Sequence, residues 1–118
     1  MGKTRKILIV EDDPFIAMDI EEVFLAAGYK VLGPVAVVDA ALLLLQNMLP
    51  DAATLDFNLG KETSLPIAEE LDKLEIPYVF LSGQMEKVVA SKLDREPTIL
   101  AKPFDPDLLM KTIDELTH

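Results

Sequence analysis

Five side chains of this sequence have the types and the spacing needed for phosphoryl chemistry. They each follow or end a short apolar stretch, and they are Glu11, Asp12, Asp56, Ser82 and Lys102. A carboxylate can attack phosphorus and form an acyl phosphate. The transition state then spreads charge over the phosphoryl oxygens, which a metal, a cation and a hydrogen-bond donor can stabilise. The carboxylates could supply the nucleophile and the metal ligands, and Lys102 and Ser82 could supply the other two groups.

The elements that must position these side chains are strands that alternate with helices. Residues 7–10 are continuously apolar, as is typical of a strand buried on both faces, and 51–56 is predicted to be a strand that ends at Asp56. Short connections and right-handed crossovers then predict an α/β fold with helices on both faces of a parallel sheet. The expected architecture is a flavodoxin-like, doubly wound (βα)5 sheet of five strands in the order 2-1-3-4-5.

The boundaries of these elements follow from apolar spacing, caps, glycines and prolines. The predicted strands are 7–10, 30–35, 51–56, 77–82 and 98–101. The predicted helices are 14–27 with Asp13 as N-cap, 40–48 with Asp39, 65–74 with Ser64, 85–93, and a last helix that begins at Asp105 or Asp107. Pro34 places the second strand at an edge of the sheet. The apolar run 42–45 fits either core packing or a partner surface.

Three carboxylates would crowd one pocket if the first and third strands are neighbours. Like charges at short range raise each other's pKa unless a cation is present. Oxygen ligands suit Mg²⁺, which takes one or two protein carboxylates and keeps several waters. Each feature alone also fits a structural role, since acids often begin turns and helices and Ser82 and Lys102 could belong to loops. The occurrence of all of them at strand carboxyl ends favours a site.

Composition limits the classes of function. The 118 residues suffice for one domain, spanning 1–118, and the absence of cysteine excludes disulfides and thiolate sites. The net charge of −10 argues against direct nucleic-acid binding and suits a protein that holds cations or contacts a basic partner. No apolar run is long enough for a membrane span or a signal peptide, so a cytoplasmic location is expected.

The motifs around these side chains resemble the receiver domain of two-component response regulators. The resemblance covers nearly the whole chain and rests on residues 9–14 (IVEDDP), 55–59 (LDFNL), 81–83 (LSG) and 102–104 (KPF). It implies that Asp56 is the phosphoacceptor and that Glu11 and Asp12 form the acidic pair at Mg²⁺. It further implies that the carbonyl of Asn58 completes the metal shell, that Ser82 and Lys102 contact the phosphoryl group, and that the peptide before Pro103 is cis.

The resemblance also implies a signalling role rather than turnover of a substrate. A sensor histidine kinase or a histidine phosphotransfer protein would donate the phosphoryl group, and a downstream protein would bind the surface of the fourth helix and fifth strand. Most receivers have an aromatic residue where this chain has Ile99. The switch would then be transmitted through 82–93 rather than through an aromatic rotamer.

A narrower similarity is to stand-alone receivers of alphaproteobacteria. It rests on 31–35 (VLGPV), 56–60 (DFNLG) and 76–80 (IPYVF). That subclass has Phe-Ala-Thr-Gly-Tyr at the end of the fourth strand, where this chain has 80–84 (FLSGQ). Since the sequence ends as the fifth predicted helix finishes, it is either a stand-alone receiver or one cut from a larger protein.

Two other functions fit parts of the pattern. Phosphatases of the haloacid-dehalogenase type also combine an Asp nucleophile, Ser or Thr, Lys and Mg²⁺. Their nucleophile lies on the first strand and has a second Asp two residues on, whereas Asp56 lies on the predicted third strand and is followed two residues on by Asn58. A receiver that binds partners without phosphorylation is the third possibility, and the complete set of site residues argues against it.

Overall fold

The computed structural model describes residues 4–83 and 98–117. Within these ranges the elements, in chain order, are β1 (Lys6–Val10), α1 (Pro14–Ala26), β2 (Lys30–Val35), α2 (Val38–Asn47), β3 (Ala52–Asp56), β4 (Asn58–Leu59), β5 (Glu62–Thr63), α3 (Leu65–Lys73), β6 (Tyr78–Ser82), β7 (Ile99–Ala101) and α4 (Pro106–Leu116). The predicted helix 85–93, together with Gln84, lies outside the described residues. None of the described helices has the length and apolar character needed to cross a membrane.

The central sheet is parallel and has the predicted order. Its strands run β2-β1-β3-β6-β7, and β6 and β7 are the fourth and fifth strands predicted from the sequence. Strand β2 lies at an edge, as Pro34 indicated. The flavodoxin-like fold is therefore confirmed.

Helices cover both faces of this sheet because its inner strands are apolar on both sides. Leu8 and Val10 of β1 belong to the core beneath α2 and α3. Ile7 and Ile9 belong to the core beneath α1 and α4. The four side chains are at most 1% exposed, which accounts for the continuous apolar run of this strand.

The helices on one face begin with caps from their own sequence. The Asp13 side chain accepts hydrogen bonds from the N–H groups of Phe15 and Ile16, at 2.9 and 3.3 Å, and starts α1. Asp105 caps α4 in the same way. The Asp13 cap was predicted, and Asp105 was one of the two residues predicted to begin the last helix, because an N-cap aspartate followed by proline is a local signal.

Helix α2 begins differently from the prediction. It starts at Val38, two residues before the predicted start. The side chain of its N-cap residue, Val37, makes no hydrogen bond to the helix. Instead, Oε2 of Glu62 accepts the N–H of Val38 at 3.1 Å. The prediction that Asp39 caps α2 is wrong. Val38 is buried and forms the first residue of the helix, and the distant carboxylate of Glu62 caps it.

Two further stretches refine the sequence analysis. The predicted loop after Asp56 contains an antiparallel hairpin of β4 and β5, with Gly60 at a φ of +70°.

In the apolar run 42–45, Leu45 is buried while Leu43 is 60% exposed. The run therefore contributes to the core, and Leu43 remains on the surface.

Candidate functional site

The carboxyl edge of the sheet brings the predicted side chains together. Glu11 and Asp12 follow β1, and Asp56 ends the neighbouring strand β3. One oxygen from each of these three carboxylates lies within 4.8 Å of the others. The crowding expected from the sequence is therefore present.

Lys102 links two of these acids. Its Nζ lies 2.9 Å from Oε1 of Glu11 and 3.1 Å from Oδ1 of Asp56. It directly follows β7, and its backbone N–H donates to the carbonyl of Ser82, the last residue of β6, at 3.0 Å. The peptide between Lys102 and Pro103 is cis, as the resemblance implies. The sheet thus fixes the lysine backbone while its side chain crosses to the acids.

The two acids of the pair after β1 differ in exposure. Glu11 is 2% exposed, whereas Asp12 is exposed. Burial of a carboxylate is costly unless charge and hydrogen bonds compensate it. Lys102 supplies the charge, and the N–H of Asp13 donates to Oε2 of Glu11 at 3.1 Å. Sequence reasoning missed this Asp13 contact, which its position at the start of α1 could have suggested.

Asp56 has an altered acidity. It is 6% exposed, and burial is the main reason that the pKa of Asp56 rises to about 7. Hydrogen bonds to Asp12 and Glu11 and the charge of Glu11 raise the pKa further, while the charge of Lys102 opposes the rise. Near neutral pH a proton therefore competes for this carboxylate, and a cation at the three acids would favour the ionised form.

The lysine remains a cation. Burial alone would lower the pKa of Lys102, but hydrogen bonds and charge from Glu11 and Asp56 outweigh it and raise that pKa above its ordinary value. Two carboxylates contact this one side chain and that of Asp12 lies close to them, so the cluster keeps an excess of negative charge when all three are ionised. That excess is the electrostatic condition for binding a divalent cation.

The donor set suits Mg²⁺. Glu11, Asp12 and Asp56 offer carboxylate oxygens, which hard cations prefer. Asn58 begins β4 two residues after Asp56, so the chain keeps the two residues within about 7 Å of each other. The closely spaced oxygens and the raised pKa of Asp56 are both consistent with a site that gains from a cation.

The remaining site residues are placed by β6 and β7. Ser82 ends β6 and is 1% exposed. Ile99 pairs with Phe80 and packs against the core beneath α2 and α3. An aliphatic side chain therefore fills this position.

Comparison with known proteins gives one consistent result. The family model of the response regulator receiver domain matches residues 7–114. The phyllosphere-induced regulator PhyR of Methylorubrum extorquens is 30% identical over 104 residues, which are 86% of this chain and 39% of that protein. The solution structure of SdrG from Sphingomonas melonis is 39% identical, with a TM-score of 0.82 and full coverage of both chains.

A crystal structure of PhyR from Brucella abortus gives a TM-score of 0.84 at 29% identity, covering 98% of this chain and 48% of that one. The chain thus spans less than half of the length of these PhyR proteins, whereas it spans all of SdrG. The similarity therefore concerns the receiver part of the longer proteins.

Proposed function

The chain belongs to the response regulator receiver domain family, and we propose that it accepts a phosphoryl group on Asp56 in two-component phosphorelay signalling. The donor is a sensor histidine kinase or a histidine phosphotransfer protein. The observation that carries the proposal is the convergence of Glu11, Asp12 and Lys102 on a buried Asp56 at the carboxyl edge of the sheet.

Asp56 acts as the nucleophile in this proposal. One of its carboxylate oxygens forms a bond to phosphorus while the bond between phosphorus and the donor imidazole nitrogen breaks, and the product is an acyl phosphate. The leaving imidazole keeps the electron pair and takes up a proton from solvent. Lys102 orients the carboxylate through Oδ1, 3.1 Å away, and as a cation it can contact the incoming phosphoryl oxygens.

The other site residues support the same step. Glu11 and Asp12, with Asp56 and the carbonyl of Asn58, would hold Mg²⁺. When bound, this ion would neutralise the carboxylates and bind a phosphoryl oxygen. Ser82 would donate its hydroxyl to the phosphoryl group after transfer. Glu11 also holds Lys102 at 2.9 Å, so it links the metal ligands to the phosphate-binding cation.

The role of the modified protein is to switch partner binding, not to turn over a substrate. The proposed partner surface includes the segment 85–93 and β7, where Ile99 replaces the aromatic residue of most receivers. A charge-assisted hydrogen bond from Ser82 to the phosphoryl group would favour one position of the Ser82 side chain at the end of β6.

Phosphorylation with acetyl phosphate and Mg²⁺, followed by intact mass, tests the proposal. We expect one transient phosphoryl group, labile in base and hydroxylamine, that is absent from Asp56→Asn. Asp51→Asn is the matched control, because Asp51 immediately precedes β3 and Asp56 ends it.

Other outcomes would contradict the assignment. Acid-stable phosphate on Ser82 or a threonine would exclude an acyl phosphate. Sustained release of many phosphate molecules per protein would favour the phosphatase alternative. An unmodified wild-type protein that still binds partners would favour a receiver that works without phosphorylation.

A further inference from the structure

The pairing of β1 with β2 contains an irregularity just before the site. Leu8 pairs with Leu32, and the next pair joins Val10 to Val35. Two residues of β2, Gly33 and Pro34, therefore face one residue of β1. This arrangement is a β-bulge, a feature that re-aims the chain next to functional sites.

Pro34 explains why the register must shift. In the regular register that Leu8 and Leu32 begin, Pro34 would pair with Val10 and would have to donate an N–H to β1. Proline has no N–H. The extra residue moves Val35 into this position, and Val35 has both backbone groups for pairing.

The shifted strand holds the first residue of the site. The carbonyl of Val35 accepts the N–H of Glu11 at 2.9 Å, one residue beyond the end of β1. Pairing with β2 thus extends from the strand into the acidic pair. The backbone of Glu11 is fixed by Val35, and its side chain is fixed by Lys102 and Asp13.

Gly33 is the residue that allows this close approach. Its φ is +92°, which favours glycine. A Cβ at this position would lie 2.8 Å from the nitrogen of Val35 and 3.0 Å from the carbonyl oxygen of Ile9. Both contacts are backbone atoms of the paired strands, so a side chain at Gly33 would separate Val35 from β1 and weaken its bond to Glu11.

The same bulge forms a wall beside the carboxylates. A cleft of about 270 Å³ is lined by Glu11 and Asp12 and, among other residues, by Pro34, Val35 and Ala36. The bulge is therefore linked to the acidic pair in two ways. Val35 accepts the backbone hydrogen bond of Glu11, and residues of the bulge line the same cleft as the two acids.

We propose that the bulge at Gly33 and Pro34 positions Glu11 and Asp12 for binding Mg²⁺ beside Asp56, and that Gly33 is a positioning residue of the phosphoacceptor site. The inference rests on the proposed function. It adds a requirement on the edge strand β2, which contributes no side chain to the metal ligands or to the phosphoacceptor.

Gly33→Ala, compared with Gly28→Ala, tests this inference. Gly28 also has a positive φ, +88°, but a Cβ there would meet nothing within 4 Å. Both variants carry backbone strain, and only one disturbs the bulge. We expect Mg²⁺ to bind Gly33→Ala roughly tenfold more weakly than Gly28→Ala, the size of effect seen when groups that orient metal ligands are lost.

A second readout needs neither metal nor phosphate. In the metal-free protein, the amide hydrogen of Glu11 should exchange faster in Gly33→Ala than in Gly28→Ala, because its acceptor has moved. Equal Mg²⁺ affinity and equal protection of this amide in the two variants would overturn the inference. A wild-type protein that binds no Mg²⁺ and gains no phosphoryl group would instead overturn the proposed function.

If Gly33→Ala does not fold, Pro34→Gly replaces it. Glycine restores the N–H at position 34 and lets β2 return to the regular register. Pro77→Gly, just before β6 at the opposite end of the sheet, is the control for the flexibility that loss of proline introduces. Weaker Mg²⁺ binding in Pro34→Gly alone supports the inference, and equal binding in the two variants contradicts it.

Discussion

The two ends of the sheet carry polar clusters of opposite character. At the carboxyl end, Lys102 contacts Glu11 and Asp56, and Asp12 lies beside these two acids, so three acids meet one base. At the amino end, Asp114 of α4 meets two donors, a tyrosine hydroxyl and an arginine. The first cluster keeps an excess of charge inside the fold, and the second does not.

The amino-end cluster closes the fold without a charge conflict. The hydroxyl of Tyr29 donates to Oδ1 of Asp114 at 2.8 Å, and Arg5 donates to Oγ1 of Thr117 at 2.9 Å. Burial and then Asp114 raise the pKa of Tyr29, so the hydroxyl keeps its proton. Arg5 lies 3.8 Å from Asp114, a half-exposed pair that contributes little by itself.

The comparison shows where this fold accepts electrostatic repulsion. Burial, together with the acids Asp12 and Glu11, raises the pKa of Asp56 to about 7, whereas Asp114 accepts a hydrogen bond from Tyr29 and lies near Arg5. Natural proteins often violate rules of stability at sites that a ligand completes. Cations should therefore affect the carboxyl end strongly and the amino end very little.

Addition of Mg²⁺ should give the largest effect. At a concentration 100 times its dissociation constant, a ligand bound only by the folded state raises the free energy of unfolding by about 2.7 kcal/mol. Thermal unfolding at pH 8 should show this rise in the wild type, and Asp12→Ala should lose most of it. Asp19→Ala removes an exposed acid of α1 and serves as control. A melting temperature that does not change when Mg²⁺ is added would refute the metal site.

Asp56→Asn should stabilise the metal-free protein. The pKa of Asp56 is about 7 in the folded state and 3.8 ordinarily, so between these values the folded state binds more protons than the unfolded state. Stability of the wild type therefore falls as pH rises from 4 to 7 through this group. Asp56→Asn lacks this loss. The amount by which its free energy of unfolding exceeds that of the wild type should therefore grow over this range, to about 1–3 kcal/mol at pH 8.

Urea unfolding in EDTA at several pH values measures this difference. If the free energies of unfolding of Asp56→Asn and the wild type differ by the same amount at pH 5 and pH 8, Asp56 does not titrate in this range. Asp51→Asn, before the other end of β3, is the control for loss of an acid next to this strand.

Asp114→Asn should act in the opposite direction at the amino end. The change weakens the acceptor of the Tyr29 hydroxyl and removes a charge beside Arg5, at a cost of about 1 kcal/mol. Asp114 lies at the opposite end of the sheet from the three acids, so urea unfolding should show a loss that Mg²⁺ does not change. A Mg²⁺-dependent loss would mean that the two ends of the sheet are coupled.

Sequence reasoning predicted the features that depend on neighbouring residues in the chain or on which faces of a strand are buried. Strands buried on both faces leave continuous apolar runs, and the caps Asp13 and Asp105 precede prolines at helix starts. The meeting of Asp56 with Glu11 was also predictable, since neighbouring parallel strands end at the same edge.

The features that sequence reasoning missed depend on contacts between distant residues. Glu11 and Asp12 are adjacent, and only the fold decides that the first is buried and the second exposed. The bulge at Gly33 depends on the register with β1. Glu62 caps a helix that begins 24 residues earlier in the chain, and no local pattern marks that role.

The smallest predicted effect compares the sequence-based cap of α2 with the observed one. Glu62→Ala removes the only acceptor that the structure gives, among its described residues, to the N–H of Val38, and loss of an N-terminal cap costs about 1 kcal/mol. Asp39→Ala removes a charge in the first turn and should cost less, about 0.3 kcal/mol. Glu69→Ala, at an exposed position of α3, is the control for loss of an acid.

Amide exchange separates these variants more sharply than global unfolding does. The amide of Val38 should lose protection in Glu62→Ala and keep it in Asp39→Ala, because its hydrogen bond goes to Glu62. Equal loss of protection in the two variants would show that Asp39, as the sequence suggested, contributes to the cap.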